Sequence, residues 1–283
     1  MTFLLSALSI SSMVMQNSIF NHVCKKNLTT DRHVYKYNMY VYLMCIVLFG
    51  VFLFGESISL YTVVLGLVFG VVTALSNFYK MRALSDGPMH ITLLVTTSSM
   101  IIPTMSGIFF GEAFSFPKLV LVLILIFFIY LSISNKGEGK VNKKWIICCT
   151  LAFVFQGSIG VLQKVHQMSP HKNELNGFLF VAFICSAVYC FVRSGKGGMD
   201  IKLDKKFYLL ALICGLCTYT MNILNLRLSG LIPSQLFFPV INGSTIVLCS
   251  AISVLIFKEK LSKKQYIGLI GGILTLIGIC LVK

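Results

Sequence analysis

The sequence predicts an all-α integral membrane protein with ten transmembrane helices arranged as two inverted five-helix repeats. Three observations lead there. The first is composition: 57 % of residues are hydrophobic and only 12 % are charged, with a mean hydropathy of +0.87. A soluble chain carries about 25 % charged residues. The second is distribution, because the charges are bunched between long uncharged windows. These are 2–21, 37–55, 57–79, 87–111, 119–135, 145–163, 175–192, 207–226, 228–257 and 265–282. Each is near the ~20 residues a helix needs to cross a hydrocarbon core of about 30 Å. The third is internal repetition. Gly70, Thr73, Asn77, Arg82 and Pro88 recur as Gly215, Thr218, Asn222, Arg227 and Pro233, each pair 145 positions apart. Val14, Gln16, Ser18 and Ile19 recur as Val154, Gln156, Ser158 and Ile159, 140 apart, and Asn38 recurs as Asn176. Phe110, Glu112 and Ser115 recur as Phe257, Glu259 and Ser262, 147 apart. The offset drifts only where loops differ in length.

Helices are the expected form of every window, since alternation of period two is absent and each buried amide must be paired within its own segment. The first window begins almost at Met1 with no basic n-region or small-residue cleavage site, so it reads as a retained helix. Only Glu56 separates the second window from the third, which places a tight turn at Gly55-Glu56-Ser57. Pro103 and Pro239 lie inside the fourth and ninth windows, where each removes a backbone hydrogen bond and can kink its helix. The charged stretch 134–144 is the join between halves. The expected units are therefore 1–135, a linker 136–144, and 145–283. Arg227 alone separates the eighth window from the ninth, with Ser229-Gly230 and Pro233 supplying the break. Five spans per half is an odd number, so the second repeat enters the membrane from the opposite side, as in many secondary transporters.

The net charge of +15 marks orientation here and not nucleic-acid binding, because it sits in loops. Loops after odd-numbered windows hold 19 of the 24 Lys and Arg; Lys118, Lys164, Lys172, Arg227 and Lys283 make up the rest. The positive-inside rule then puts both termini outside. High Lys and low Arg content points to a bacterial plasma membrane. The ten cysteines are spread through the windows, and Cys214 and Cys217 read as small apolar filler. The five histidines lie near helix ends without metal-ligand spacing. No cofactor, metal or catalytic cluster is expected. The glycine pairs Gly66/Gly70, Gly107/Gly111 and Gly268/Gly272 suit close helix packing within one chain, in a monomer or a homodimer.

Two segments carry a family resemblance. Phe110-Gly111-Glu112-Ala113-Phe114-Ser115 precedes the fifth window, and Phe257-Lys258-Glu259-Lys260-Leu261-Ser262 leads through Gln265-Tyr266-Ile267-Gly268 into the tenth. They resemble the turns that close each half in the EamA-type members of the drug/metabolite transporter superfamily, and the Ala83-Leu84 and Gly87-Pro88 region resembles that family's turn between helices 3 and 4. The first window lacks that family's frequent Trp-Gly, and the fifth has no glycine after Gly111. The resemblance implies a central cavity between the repeats, lined by helices 1, 3, 4, 6, 8 and 9. It also implies termini inside, opposite to the charge count.

Buried polar residues are costly in a span and mark cavities or helix contacts. The candidates for substrate contact are Gln16, Asn17, Thr96, Gln156 and Asn242 near mid-span, and Asn77, Tyr79, Asn222, Asn225 and Gln235 nearer the helix ends. All nine carboxylates lie at span ends or in loops, so a buried acid for cationic drugs is missing. The expected function is alternating-access transport of a small polar neutral or zwitterionic metabolite, such as an amino acid or nucleoside. The alternatives are a cationic amine or drug transporter or an anion exchanger of the same fold, and, in another class, a membrane enzyme or non-transporting protein.

Overall fold

The computed structural model describes residues 2–26, 30–53, 55–86, 89–113, 115–132, 143–195, 205–257 and 262–282. Eleven α-helices occur among them: α1 Thr2–Lys26, α2 Asp31–Val51, α3 Leu60–Asp86, α4 Met89–Ser98, α5 Ile101–Ser106, α6 Phe116–Ser132, α7 Lys143–Gln167, α8 Leu175–Ser194, α9 Lys205–Leu231, α10 Ser234–Phe257 and α11 Lys263–Leu281. Strands are absent among the described residues. Six helices, α1, α2, α3, α7, α8 and α9, are long and apolar enough to cross a membrane, and four shorter apolar stretches run over Val95–Phe110, Phe116–Leu131, Ser234–Leu248 and Tyr266–Leu281. This fits a membrane protein. So does the burial pattern: Leu60, Phe109 and Leu281 are exposed while Asn38, Ser76 and His166 are fully buried.

The fourth window is not one helix. Pro103 has no N–H to give the Ser99 carbonyl, four residues back. That oxygen instead accepts Ile102 N at 3.0 Å, and Met100 N turns to Thr97 O at 3.0 Å. The helix therefore breaks at residues 99–100 into α4 and α5, and a 3₁₀ turn, Gly107–Phe110, follows. Gly111 ends that turn in the left-handed region, at φ 73°. The expected turn at 55–57 falls between α2 and α3, with Gly55 at φ 89°. The break near 229–233 comes late, since Ser229 and Gly230 are still helical and Pro233 separates α9 from α10. Lys143 and Lys144 already belong to α7; the rest of the linker, Gly87-Pro88, Phe114 and 258–261 lie outside the described residues.

Packing follows small residues. α3 lies along α7 and α8, and α9 lies along α1 and α2. α2 packs on α8, α6 on α11, and α10 on α1, α5 and α11. A Cβ on Gly66 would come within 3.0 Å of the Phe178 carbonyl oxygen, and one on Gly70 would overlap that of Ala182. Ser186 fills the same contact by donating to Gly70 O at 2.8 Å. Gly215 on α9 is as close to α2: its Cβ would lie 2.9 Å from Val41 O, and the Cys45 thiol reaches Gly215 O at 3.4 Å. An aromatic core fills the interior of this half of the bundle, with Tyr35 stacked on Phe78 at 4.4 Å and Phe49 on Phe183 at 5.6 Å. A second core joins α1, α6, α9, α10 and α11 around Leu125, Phe237 and Ile241.

Candidate functional site

Polar side chains gather in two layers. The first lies within the bundle and links α1, α3, α7 and α9. Gln16 donates its Nε2 to Thr218 Oγ1 at 2.7 Å, joining α1 to α9. Ser76 donates to Gln156 Oε1 at 2.9 Å, joining α3 to α7. Lys80 donates to Asn17 Oδ1 at 2.8 Å, joining α3 to α1, with its ammonium 5.9 Å from the centre of the Phe20 ring. Asn77 donates to the Tyr42 hydroxyl at 2.8 Å, and Tyr79 stacks on Phe155 at 5.9 Å. Asn225 accepts from Ser9 at 2.5 Å, while its Nδ2 approaches Met13 Sδ at 3.8 Å. Thr245 of α10 meets the same sulfur at 3.8 Å.

Thr73, Ser76, Asn77 and Lys80 follow i, i+3, i+4, i+7 spacing, so they form one stripe of α3. That stripe supplies the layer with a hydroxyl, an amide and a charge. Three sequence candidates contribute less to it. Thr96, Asn222 and Asn242 bond back to carbonyls of their own helices, at Thr92 (2.9 Å), Thr218 (2.8 Å) and Phe238 (2.9 Å). Gln235 is elsewhere, for it opens α10 and accepts from Ser115 N at 3.0 Å. Its Nε2 is buried with no hydrogen-bond partner among the described residues.

Gln235 belongs to the second layer, at one end of the bundle. There Lys164 of α7 ion-pairs Glu112, their side chains only 4 % and 14 % exposed. Lys164 also donates to Ser229 O at 2.9 Å, and the other Glu112 oxygen accepts Ser234 N at 2.7 Å. One ion pair thus ties the turn before α6, the end of α7 and the junction of α9 with α10. Beside it two carboxylates cap one another's helices. Glu56, ahead of α3, accepts Asn176 Nδ2 at 2.6 Å and Gly177 N at 3.0 Å in the first turn of α8. Glu174, ahead of α8, accepts Ser59 N and Oγ, both at 2.8 Å, ahead of α3. Each carboxylate meets the positive end of the neighbouring helix. Burial pushes the Glu174 carboxyl up, but hydrogen bonds from Thr62, the Ser59 amide and hydroxyl, and His171 outweigh it and hold it at about 2.

Lys80 and Lys164 both lie near window ends, where snorkelling to the headgroups is the commoner role of a lysine. The opposite end is closed by Arg82, which pairs Asp31 at 2.9 Å and Asp86 at 3.4 Å. Two open concavities lie outside the inner layer. One, of about 580 Å³, opens at the Glu112 end between Gln167, Lys172, Asn173, Arg227 and Gly230. The other, about 510 Å³ and apolar, lies on the flank between α3 and α8.

No family model and no curated protein matches the chain. Among solved structures, one described only as the crystal structure of a protein aligns over 99 % of this chain and 99 % of its own, with a TM-score of 0.71 and 12 % identity. That similarity extends over the full bundle, and it establishes a shared fold with no activity attached.

Proposed function

We propose that the chain is a secondary transporter of the drug/metabolite transporter superfamily, EamA type, built from two inverted five-helix repeats. It moves a small polar neutral or zwitterionic metabolite by alternating access through the seam between them. The observation that carries this reading is the pair of crossed glutamines. Gln16 and Gln156 are 140 positions apart, and each reaches the third span of the other half, at Thr218 and Ser76. The helix packing supports it as well. α1 on α9 corresponds to α7 on α3, and α2 on α9 corresponds to α8 on α3, when the halves are exchanged. The two close-approach glycines, Gly70 and Gly215, each press on the second span of the opposite half. Around them Val41 corresponds to Ala182 and Cys45 to Ser186, an offset of 141. That offset is three residues longer than the 138 that pairs Asn38 with Asn176 in the sequence.

An inner layer of amides and hydroxyls suits a hydrogen-bonding ligand, and the ion-paired ends suit closures that part in turn. Substrate-dependent flux in proteoliposomes tests the reading. Gln156→Leu and Gln16→Leu are each expected to cut flux about tenfold or more, the worth of one hydrogen bond of ~1.4 kcal/mol. Unchanged flux in both variants removes the inner layer as the pathway. A chain with no flux for any polar metabolite, but intact folding, favours the enzyme or scaffold alternatives.

A further inference from the structure

We propose that the open concavity of about 580 Å³ at the Glu112 end is a binding site for the phosphate group of an anionic phospholipid, held by Arg227 and Lys172. The site goes beyond the transporter reading and does not depend on it.

The first support is a departure from the internal repeat. Arg227 is the second copy of Arg82. Arg82 is neutralised within the protein, by Asp31 at 2.9 Å and by Asp86, four residues on, at 3.4 Å. Where the first half has Asp86, the second has Leu231. Neither Arg227 nor Lys172 forms an ion pair among the described residues. The acids of this end are engaged elsewhere: Glu112 with Lys164, Glu56 with the first turn of α8, and Glu174 with Ser59 and His171. The two cations come from α9 and from the turn between α7 and α8, yet they line one concavity whose lining includes no acid. Their charge is left for a mobile anion to meet.

The second support is where the concavity lies and what surrounds it. Gln167 ends α7, Leu231 ends α9 and Leu175 opens α8, and all three line it. Arg227 stands four residues before the end of α9, about 6 Å along the axis. In a chain that spans a membrane this is the depth of the headgroups, and basic pockets between spans there seat anionic heads. Met168 and Leu231 at the rim are 51 % and 61 % exposed, so an acyl chain has apolar surface beside the charged head. Asn173 adds an amide for a headgroup hydroxyl. The space exceeds what a bare phosphate needs and suits a glycerophosphate head.

The floor of the concavity adjoins the buried ion pair. A Cβ on Gly230 would lie 2.6 Å from Gln167 Oε1, so the ends of α7 and α9 touch there. Ser229, one residue earlier, accepts the Lys164 ammonium at 2.9 Å. A phosphate bridging Lys172 and Arg227 ties the turn after α7 to the end of α9, and so braces the closed end layer. Binding therefore raises the stability of the fold.

The test titrates the purified full chain, in a nonionic detergent, with phosphatidylglycerol, phosphatidylcholine, glycerol 3-phosphate or inorganic phosphate, and reads thermal stabilisation. The variants are Arg227→Gln, Arg227→Gln combined with Lys172→Gln, and Leu231→Asp, which gives Arg227 the acid that Arg82 has and removes no cation. Lys205→Gln combined with Lys206→Gln, at the other end of α9, controls for total charge. The expected result is that phosphatidylglycerol stabilises at lower concentration than phosphatidylcholine and that neither soluble phosphate matches it. Its half-saturating concentration should rise about fivefold in Arg227→Gln and Leu231→Asp and about thirtyfold in the Arg227→Gln, Lys172→Gln variant, at roughly fivefold per cation near a membrane surface. The control should change far less. Unaltered phosphatidylglycerol binding by the folded variants, or an equal loss in the control, overturns the site and leaves two snorkelling cations. Phosphatidylcholine acting as well as phosphatidylglycerol overturns the need for an anionic lipid. Soluble phosphate acting as well as the lipid overturns the lipid assignment and makes the concavity a site for a free anion. Each of these outcomes leaves the flux test of Gln16 and Gln156 untouched, so failure here is distinct from failure of the transporter reading.

Discussion

Lys80 and Lys164 are both lysines near the ends of long helices, and both turn into the bundle, yet they are held in opposite ways. Lys164 sits in the end layer against the Glu112 carboxylate and the Ser229 carbonyl, nearly sealed from solvent. Lys80 sits in the inner layer against a neutral amide and an aromatic ring. A buried cation with a carboxylate is satisfied by the protein, and removing one partner strands the other. The contrast separates an end layer held by an ion pair from an inner layer held mostly by amides and hydroxyls.

The sharpest way to break this comparison is to take the end layer apart. Glu112→Gln or Lys164→Met alone leaves a buried charge, and each should cost about 3–5 kcal/mol of stability. Combining them should cost clearly less than the sum, because no charge is then stranded. Unfolding of the detergent-solubilised variants measures the cycle. Additive losses, or losses as small as those of exposed ion pairs, would mean that Glu112 and Lys164 do not work as a unit. The sequence's one tryptophan, Trp145, which donates to Thr92 at 3.0 Å between α4 and α7, offers a fluorescence readout of unfolding at the other end of α7 from the pair.

A smaller stability effect is expected in the inner layer. Gln16→Leu removes the bond to Thr218, but the Thr218 hydroxyl keeps its own bond to Cys214 O at 2.7 Å. The cost should be about 1 kcal/mol, with flux falling as steeply as in Gln156→Leu. If Gln16→Leu instead unfolds the protein while leaving the flux per folded molecule intact, the inner layer is structural and the distinction between the layers fails.

Much of the bundle was legible because hydropathy measures what a span must be. The windows overlap α1 to α3 and α6 to α11 with ends off by up to seven residues, and Pro103 announced trouble in the fourth. What hydropathy cannot carry is the direction of one side chain. Lys80 and Lys164 look alike by distance from a helix end, and their partners Asn17 and Glu112 lie 63 and 52 positions away. Only packing tells an inward lysine from a snorkelling one. The stripe Thr73, Ser76, Asn77 and Lys80 was the available signal, since four polar residues on one face of a span imply that something polar opposes them. Gln235 is expected nearer a helix end, and its residue type alone made it a candidate for substrate contact. It lies in the end layer because α10 begins there, on the Ser115 amide. Asn222 and Asn242 show the same limit from the other side, for an amide inside a helix can satisfy part of its need on its own backbone.

The smallest expected effect lies at the rim of the end layer, where Glu174 and Glu56 cap each other's helices. Glu174 is held at about 2, below the 4.5 of a free glutamate. Its stabilising contribution is therefore fully present above pH 4.5 and is lost as pH falls toward 2. Glu174→Gln removes that dependence: the amide still offers Ser59 an oxygen but has no proton to gain in this range. Subtracting the melting profile of Glu174→Gln from that of the wild type isolates this carboxylate from every other acid in the chain. The difference should be positive and flat above pH 4.5 and shrink below it. Solvent screening at the bundle end keeps it smaller than the Glu112–Lys164 effect. A difference that grows on acidification would show that Glu174 is held protonated, which would place the rim on the same footing as a buried, unpaired acid and not as a helix cap.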